Sequence, residues 1–164
     1  MRNRPTTKFK DFEKYLEVLK AEKGYTKFFT VSYCYGGAIA SEFAARGSLD
    51  ANYLCHPSLY EVEQISKNTK PIAFAMCELD NMTPPEKLEK LRALQAERKD
   101  KFQFEITVWP NTIHGNFARP NLAIPEVKAG FEGAFAGAVT FFKTQLGAGQ
   151  TVAPATTEAV AAAA

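Results

Sequence analysis

Residues 27–45 read KFFTVSYCYGGAIASEFAA. The first seven are rich in aromatic and β-branched residues with hardly a charge, which predicts a buried strand. Gly36, Gly37, Ala38 and Ala40, then Phe43, Ala44 and Ala45, suit a helix packed tightly on a sheet and closing at Gly47. Strand, sharp turn and helix therefore meet at Ser32-Tyr33-Cys34-Tyr35-Gly36-Gly37. In a nucleophile elbow the residue at such a turn is held in strained geometry with its side chain exposed, and small residues two positions to either side keep strand and helix from clashing. Cys34 fits that position. A helix starting just beyond it brings N–H groups and a positive dipole end near the sulfur, which favours thiolate, and Tyr35 N–H is a candidate oxyanion donor. A buried thiol ahead of a glycine-rich helix start fits the local sequence as well. A phosphate loop does not, because the glycine pattern and lysine of a Walker motif are missing.

Outward from this turn the same alternation continues. Upstream, Phe9, Phe12, Tyr15, Leu16 and Leu19 recur at helical spacing and end at Gly24. Downstream, a short strand at 51–54, a polar helical stretch at about 60–67, and an apolar strand at 72–77 follow. Thr83-Pro84-Pro85-Glu86, with an N-cap type residue followed by proline at the first helical positions, opens a helix whose buried face carries Leu88, Leu91 and Leu94. Residues 102–109 alternate apolar with polar as a half-exposed strand, and Val127, Phe131, Phe135, Val139 and Phe142 mark a last helix. Strands alternating with helices predict an α/β fold with a mostly parallel sheet between helical layers. The closing stretch from Gly147, GAGQTVAPATTEAVAAAA, is expected to be a disordered tail, leaving 8–146 as the folded domain.

The composition narrows the function classes. With 164 residues the chain holds one domain, and 46% hydrophobic residues supply a core. A net charge of +2 with the signs interspersed offers no stripe for nucleic acid. No run reaches the length of a membrane span, and the charged start is not a secretory signal, so the expected address is the cytosol. Cys34, Cys55 and Cys77 are three in number and widely spaced, which argues against a disulfide framework. A metal site at Cys34, Cys55 and His56 lacks ligand spacing and a fourth donor.

A thiol nucleophile needs a base and the base needs an orienting acid, which in this architecture come from loops after later strands in the order nucleophile, acid, histidine. Asp80 follows the strand at 72–77, and His114 follows the strand ending at Trp109. Taken alone, Asp80 reads equally as a helix-entry residue and His114 as a surface-loop histidine; their joint order after Cys34 favours a site. His56, in Cys55-His56-Pro57-Ser58, precedes the acid and is assigned to structure or to the pocket wall.

The runs YCYGGAIA, CHPS, PIAFAMCELDNMTP and HGNFARP, in this order, resemble the dienelactone hydrolase family of the α/β-hydrolase fold, over about residues 12–146. The resemblance implies a three-layer sandwich and a cysteine hydrolase acting on small esters or lactones without metal or organic cofactor, the type reaction being the opening of dienelactone. It places Cys34 on the nucleophile, Asp80 on the acid and His114 on the histidine. Phe117-Ala118-Arg119 falls where an arginine helps hold the substrate carboxylate, which makes Arg119 a candidate anchor with Phe117 and His56 beside it. Ser32 stands where the family has glycine and is expected to crowd the elbow slightly. The resemblance also implies a shortened fold, because the family's upstream strands, which supply a second oxyanion N–H, a glutamate and another arginine, have no counterpart in residues 1–30. The alternative is a non-catalytic pseudoenzyme, scaffold subunit or gene fragment, in which a second copy covers the exposed sheet edge.

Overall fold

The computed structural model describes residues 5–147. Of the expected tail, which starts at Gly147, residues 148–164 lie outside the described residues. Nine elements alternate: α1 (Pro5–Lys23), β1 (Phe29–Tyr33), α2 (Gly36–Ala45), β2 (Ala51–Cys55), α3 (Val62–Ile65), β3 (Ile72–Leu79), α4 (Pro85–Arg98), β4 (Phe104–Ile113) and α5 (Pro125–Leu146). The four strands form one parallel sheet in the order β1-β2-β3-β4.

A sequential order of parallel strands with right-handed crossovers puts the connecting helices on one face. Strand pleating then sorts the core into two layers. Leu54, Ile72, Phe74 and Met76 point towards α2, α3 and α4, where they pack with Ala40, Ile65, Leu91 and Leu94. Tyr53, Cys55, Ala73, Ala75 and Cys77 point to the opposite face, against Ala134, Ala138 and Phe141 of α5. The result is the three-layer α/β arrangement expected from the sequence. Outside it, α1 lies on α2 through Phe9 and Phe12, whose rings meet Phe43 at centroid distances of 6.1 and 4.7 Å.

Three elements differ from the sequence expectation, each for a physical reason. The buried stripe of α5 is Val127, Gly130, Ala134, Ala138 and Phe141, and Phe135 faces outward at 64% exposure. Large strand side chains rise to meet this helix. A Cβ on Gly133 would lie 2.0 Å from the Trp109 ring and one on Gly137 would lie 2.6 Å from the Tyr53 hydroxyl, so small residues must face the sheet. Strand β4 continues past Trp109 through Pro110 to Ile113, which a sheet edge permits because proline there removes no required ladder bond. Helix α4 is capped by Pro84 rather than by Thr83, whose hydroxyl instead pairs with that of Tyr60 at 3.1 Å.

At the other edge, β1 pairs with β2 alone among the described residues. Val31 is 47% exposed there, and a groove of about 350 Å³ runs along the edge between Phe12, Val31, Tyr33 and Ile39.

The turn into α2 is packed against the loop after β2. A Cβ on Gly37 would sit 2.4 Å from Pro57 Cβ and 2.9 Å from Pro57 Cα, whereas one on Gly36 would meet only Ser32 Cβ at 3.4 Å. A methyl on Gly36 would therefore touch Ser32 at ordinary van der Waals distance, whereas one on Gly37 would overlap Pro57. Overpacking of this kind costs about 1–3 kcal/mol. Gly37→Ala should lose stability in that range by urea denaturation while Gly36→Ala changes it by less than about 1 kcal/mol; equal losses would contradict the close approach.

Candidate active site

Cys34 is the first residue after β1, and its φ of 50° lies in the left-handed region. For a residue with a Cβ this costs about 1–3 kcal/mol and persists only where the surroundings enforce it. Here they do. Cys34 N–H donates to Cys55 O at 3.2 Å, and Cys34 O accepts from Gly37 N at 2.9 Å and Ser58 N at 2.8 Å. The backbone is thus tied both to the helix it opens and to the loop after the neighbouring strand.

These constraints aim the sulfur at the loop after β4. His114 Nε2 lies 3.0 Å from Cys34 Sγ, and His114 Nδ1 lies 2.8 Å from Asp80 Oδ2. A carboxylate only accepts, so it fixes a proton on Nδ1 and leaves Nε2 to exchange one with the sulfur. Asp80 is held in turn: its side chain is buried, Oδ1 accepts from Met82 N at 2.8 Å, and its carbonyl accepts from Thr83 N at 3.1 Å. The His114 loop is tightened by Asn116, whose Oδ1 accepts from Ile113 N at 2.8 Å, and by Gly115 at φ 95°. Three residues from three strand ends, separated by as many as 80 positions, are brought into one hydrogen-bonded line.

The electrostatics follow from this geometry. Burial opposes ionisation of Cys34, but the hydrogen bonds from His114, Ser58 and the Tyr35 N–H outweigh it and hold the thiol below its ordinary range. Burial likewise opposes the charge on His114, and its bonds to Cys34 and Asp80 overcome that and hold it above the ordinary imidazole value. The pair is therefore biased towards thiolate and imidazolium. Cys55 and Cys77 behave oppositely: burial pushes each up to about 12, so neither carries thiolate near neutrality.

His56 and Phe117 are both buried, at 1% and 2% exposure. The His56 ring meets that of His114 edge-on at 5.0 Å and that of Phe117 at 5.3 Å. His56, which the sequence assigned to structure or to the pocket wall, thus packs between the rings of His114 and Phe117. Burial, reinforced by His114, pushes His56 down to about 4, and both of its nitrogens are buried without a partner among the described residues. Arg119 is exposed and its charge is felt at His56. The described residues contain no group of three or more His, Cys, Asp or Glu placed to hold a metal ion. No described helix is long and apolar enough to cross a membrane.

One neighbour of the sulfur was not singled out from the sequence. Ser58 Oγ lies 3.7 Å from Cys34 Sγ. The signal available was its place just past β2, the strand that pairs with β1.

Comparisons with known proteins bear on the family and the fold. Residues 2–146 match the profile of the dienelactone hydrolase family. Hydrolase pyvD of Aspergillus violaceofuscus is 26% identical over 131 residues, 80% of this chain and 53% of the relative. Hydrolase tropI of Talaromyces stipitatus is 27% identical over 127 residues, 77% and 49%. The chain thus spans about half the length of these relatives. Among solved structures, a putative dienelactone hydrolase from Klebsiella pneumoniae superposes with a TM-score of 0.69 at 16% identity, covering 84% of this chain and 61% of that one. A monoacylglycerol lipase from Paleococcus ferrophilus superposes with a TM-score of 0.56 at 14% identity, covering 82% and 76%. At these identities the likeness shows the fold, that of an α/β hydrolase.

The depressed His56 titration has a consequence for stability. Between pH 6.5 and about 4 the unfolded chain binds a proton at this residue that the folded chain excludes. Its contribution is fully present above pH 6.5 and is lost as pH falls towards 4. In thermal melts the parent should lose more stability between pH 7 and pH 4.5 than His56→Asn, which tolerates the positive φ and does not titrate. Parallel losses in the two proteins would show that His56 is not held neutral.

Proposed function

The chain belongs to the dienelactone hydrolase family, and on that premise we propose that it hydrolyses a small ester or lactone through Cys34, His114 and Asp80. The observation that carries the reading is the continuous line of contacts, 3.0 Å from Cys34 Sγ to His114 Nε2 and 2.8 Å from His114 Nδ1 to Asp80 Oδ2.

In this reading the Cys34 thiolate attacks the carbonyl carbon and the carbonyl π electrons move onto oxygen. Tyr35 N–H, which faces the sulfur, donates to that oxyanion. Collapse expels the alkoxide, which takes the proton from His114 Nε2 and leaves as an alcohol, or stays tethered if the substrate is a lactone. Now neutral, His114 removes a proton from water, whose oxygen attacks the thioester carbonyl; Cys34 departs as thiolate and the acid is released. The net reaction consumes one water and needs no metal or organic cofactor. Asp80 holds the imidazole tautomer throughout. Arg119 offers a positive charge for a substrate carboxylate, with Phe117 and His56 keeping the histidine in place. The proposal takes the compartment to be the cytosol, where the three free cysteines remain reduced.

A second reading, a non-catalytic scaffold that pairs with a further copy, is favoured by the free edge of β1 and its exposed Val31 and Tyr33. The two separate in one assay. With a p-nitrophenyl ester and with dienelactone, the parent should turn over, Cys34→Ala should fall to background, and Asp80→Asn should lose roughly 100- to 10,000-fold in kcat. Absence of turnover, or turnover unchanged in Cys34→Ala, would remove the hydrolase reading and leave the scaffold.

A further inference from the structure

Cys34 is the nucleophile in the reading above, and the inference drawn here deepens that reading and rests on it. We propose that Ser58 is a positioning residue for the nucleophile, its hydroxyl donating to the Cys34 sulfur and holding it ionised and in line with His114.

The placement of Ser58 is enforced from several sides. Its N–H donates to Cys34 O at 2.8 Å, so its backbone is tethered to the residue its side chain serves. The preceding Pro57 is wedged against Gly37 at the start of α2, and positive φ values at His56 (35°) and Leu59 (56°) bracket the loop. The side chain is buried, out of reach of bulk water, and its oxygen lies 3.7 Å from Cys34 Sγ. A buried hydroxyl seeks an acceptor, and a thiolate is a charged one.

Ser58 and His114 contact the same sulfur but differ in chemistry. His114 Nε2 must give up its proton to the leaving group, and from that moment it no longer stabilises negative sulfur. A serine hydroxyl near neutral pH does not give its proton away, so its support persists when the thioester breaks and the sulfur departs as thiolate. The ionisable groups around the sulfur are few. From the loop after β4 comes His114, with Asp80 at the end of β3 behind it. From the loop after β2 comes His56, which is neutral above about pH 4, with the Arg119 charge beyond it. Burial pushes up Tyr33 on β1 and Cys55 on β2, so both are neutral near pH 7. Among them, Ser58 is a donor that carries no charge of its own and does not titrate.

The test is the pH dependence of iodoacetamide alkylation at Cys34, read by peptide mass mapping so that Cys55 and Cys77 are scored separately. Ser58→Ala and Ser58→Gly both delete the hydroxyl, and Ser58→Thr retains one. Deletion should slow alkylation at pH 7 about tenfold, as expected for one lost bond to a charged group, with the limiting rate at high pH unchanged; Ser58→Thr should stay within about twofold of the parent. Either deletion variant suffices if the other does not fold. Deletion curves superimposable on the parent would overturn the proposal, as would a loss in Ser58→Thr equal to that in Ser58→Ala. Alkylation reads ionisation without turnover. A chain that cleaves no ester but shows Ser58-dependent alkylation fails only the hydrolase reading, and a hydrolase with Ser58-independent alkylation fails only this one.

Discussion

The close approach of α2 to the loop after β2 is the constraint on which the rest of the site depends. With no side chain on Gly37, Pro57 comes to within contact of the helix backbone, and the next residue reaches back to bond the Cys34 carbonyl. Those two contacts fix the left-handed conformation of Cys34, which no local propensity would select. Once the turn is fixed, the sulfur points along the ends of the parallel strands. In a parallel sheet every strand delivers its following loop to that same end, so residues from β3 and β4 converge on it without further design.

Charge is then sorted by environment. Two histidines lie with ring centroids 5.0 Å apart, yet one is favoured in its protonated form and the other is held neutral. The difference lies in their partners. His114 has an acid on one nitrogen and a thiol on the other, whereas both nitrogens of His56 are buried without a partner among the described residues. Three cysteines divide in the same way: Cys34 faces three donors, while burial governs Cys55 and Cys77. Environments that push like groups apart assign acid and base roles within one small volume.

Much of this was legible in the sequence because the signals were local or ordered along the chain. The strand ending at Tyr33 and the glycine pair after Cys34 marked the turn, and Asp80 and His114 each followed a recognisable strand. Features that depend on which strands are neighbours were not legible. Ser58 matters because β2 pairs with β1, and His56 because its loop lies beside that of β4; neither adjacency is encoded in spacing. The stripe of α5 was misread since Phe135 and Val139 carry a helical period as clear as that of Gly130, Ala134 and Ala138. Only the height of Trp109 and Tyr53 above the sheet decides which stripe faces inward. The strand expected to end at Trp109 runs on through Pro110 because β4 lies at the sheet edge, where proline removes no required ladder bond.

The account stands on a Cys34 thiolate paired with a protonated His114. Thiolate absorbance near 240 nm, followed across pH in the parent and in Cys34→Ala, measures it directly. The account predicts one thiol in the parent ionising below the ordinary value of 9.0, with that step absent from Cys34→Ala. A parent whose thiols all stay protonated until that ordinary value would contradict it.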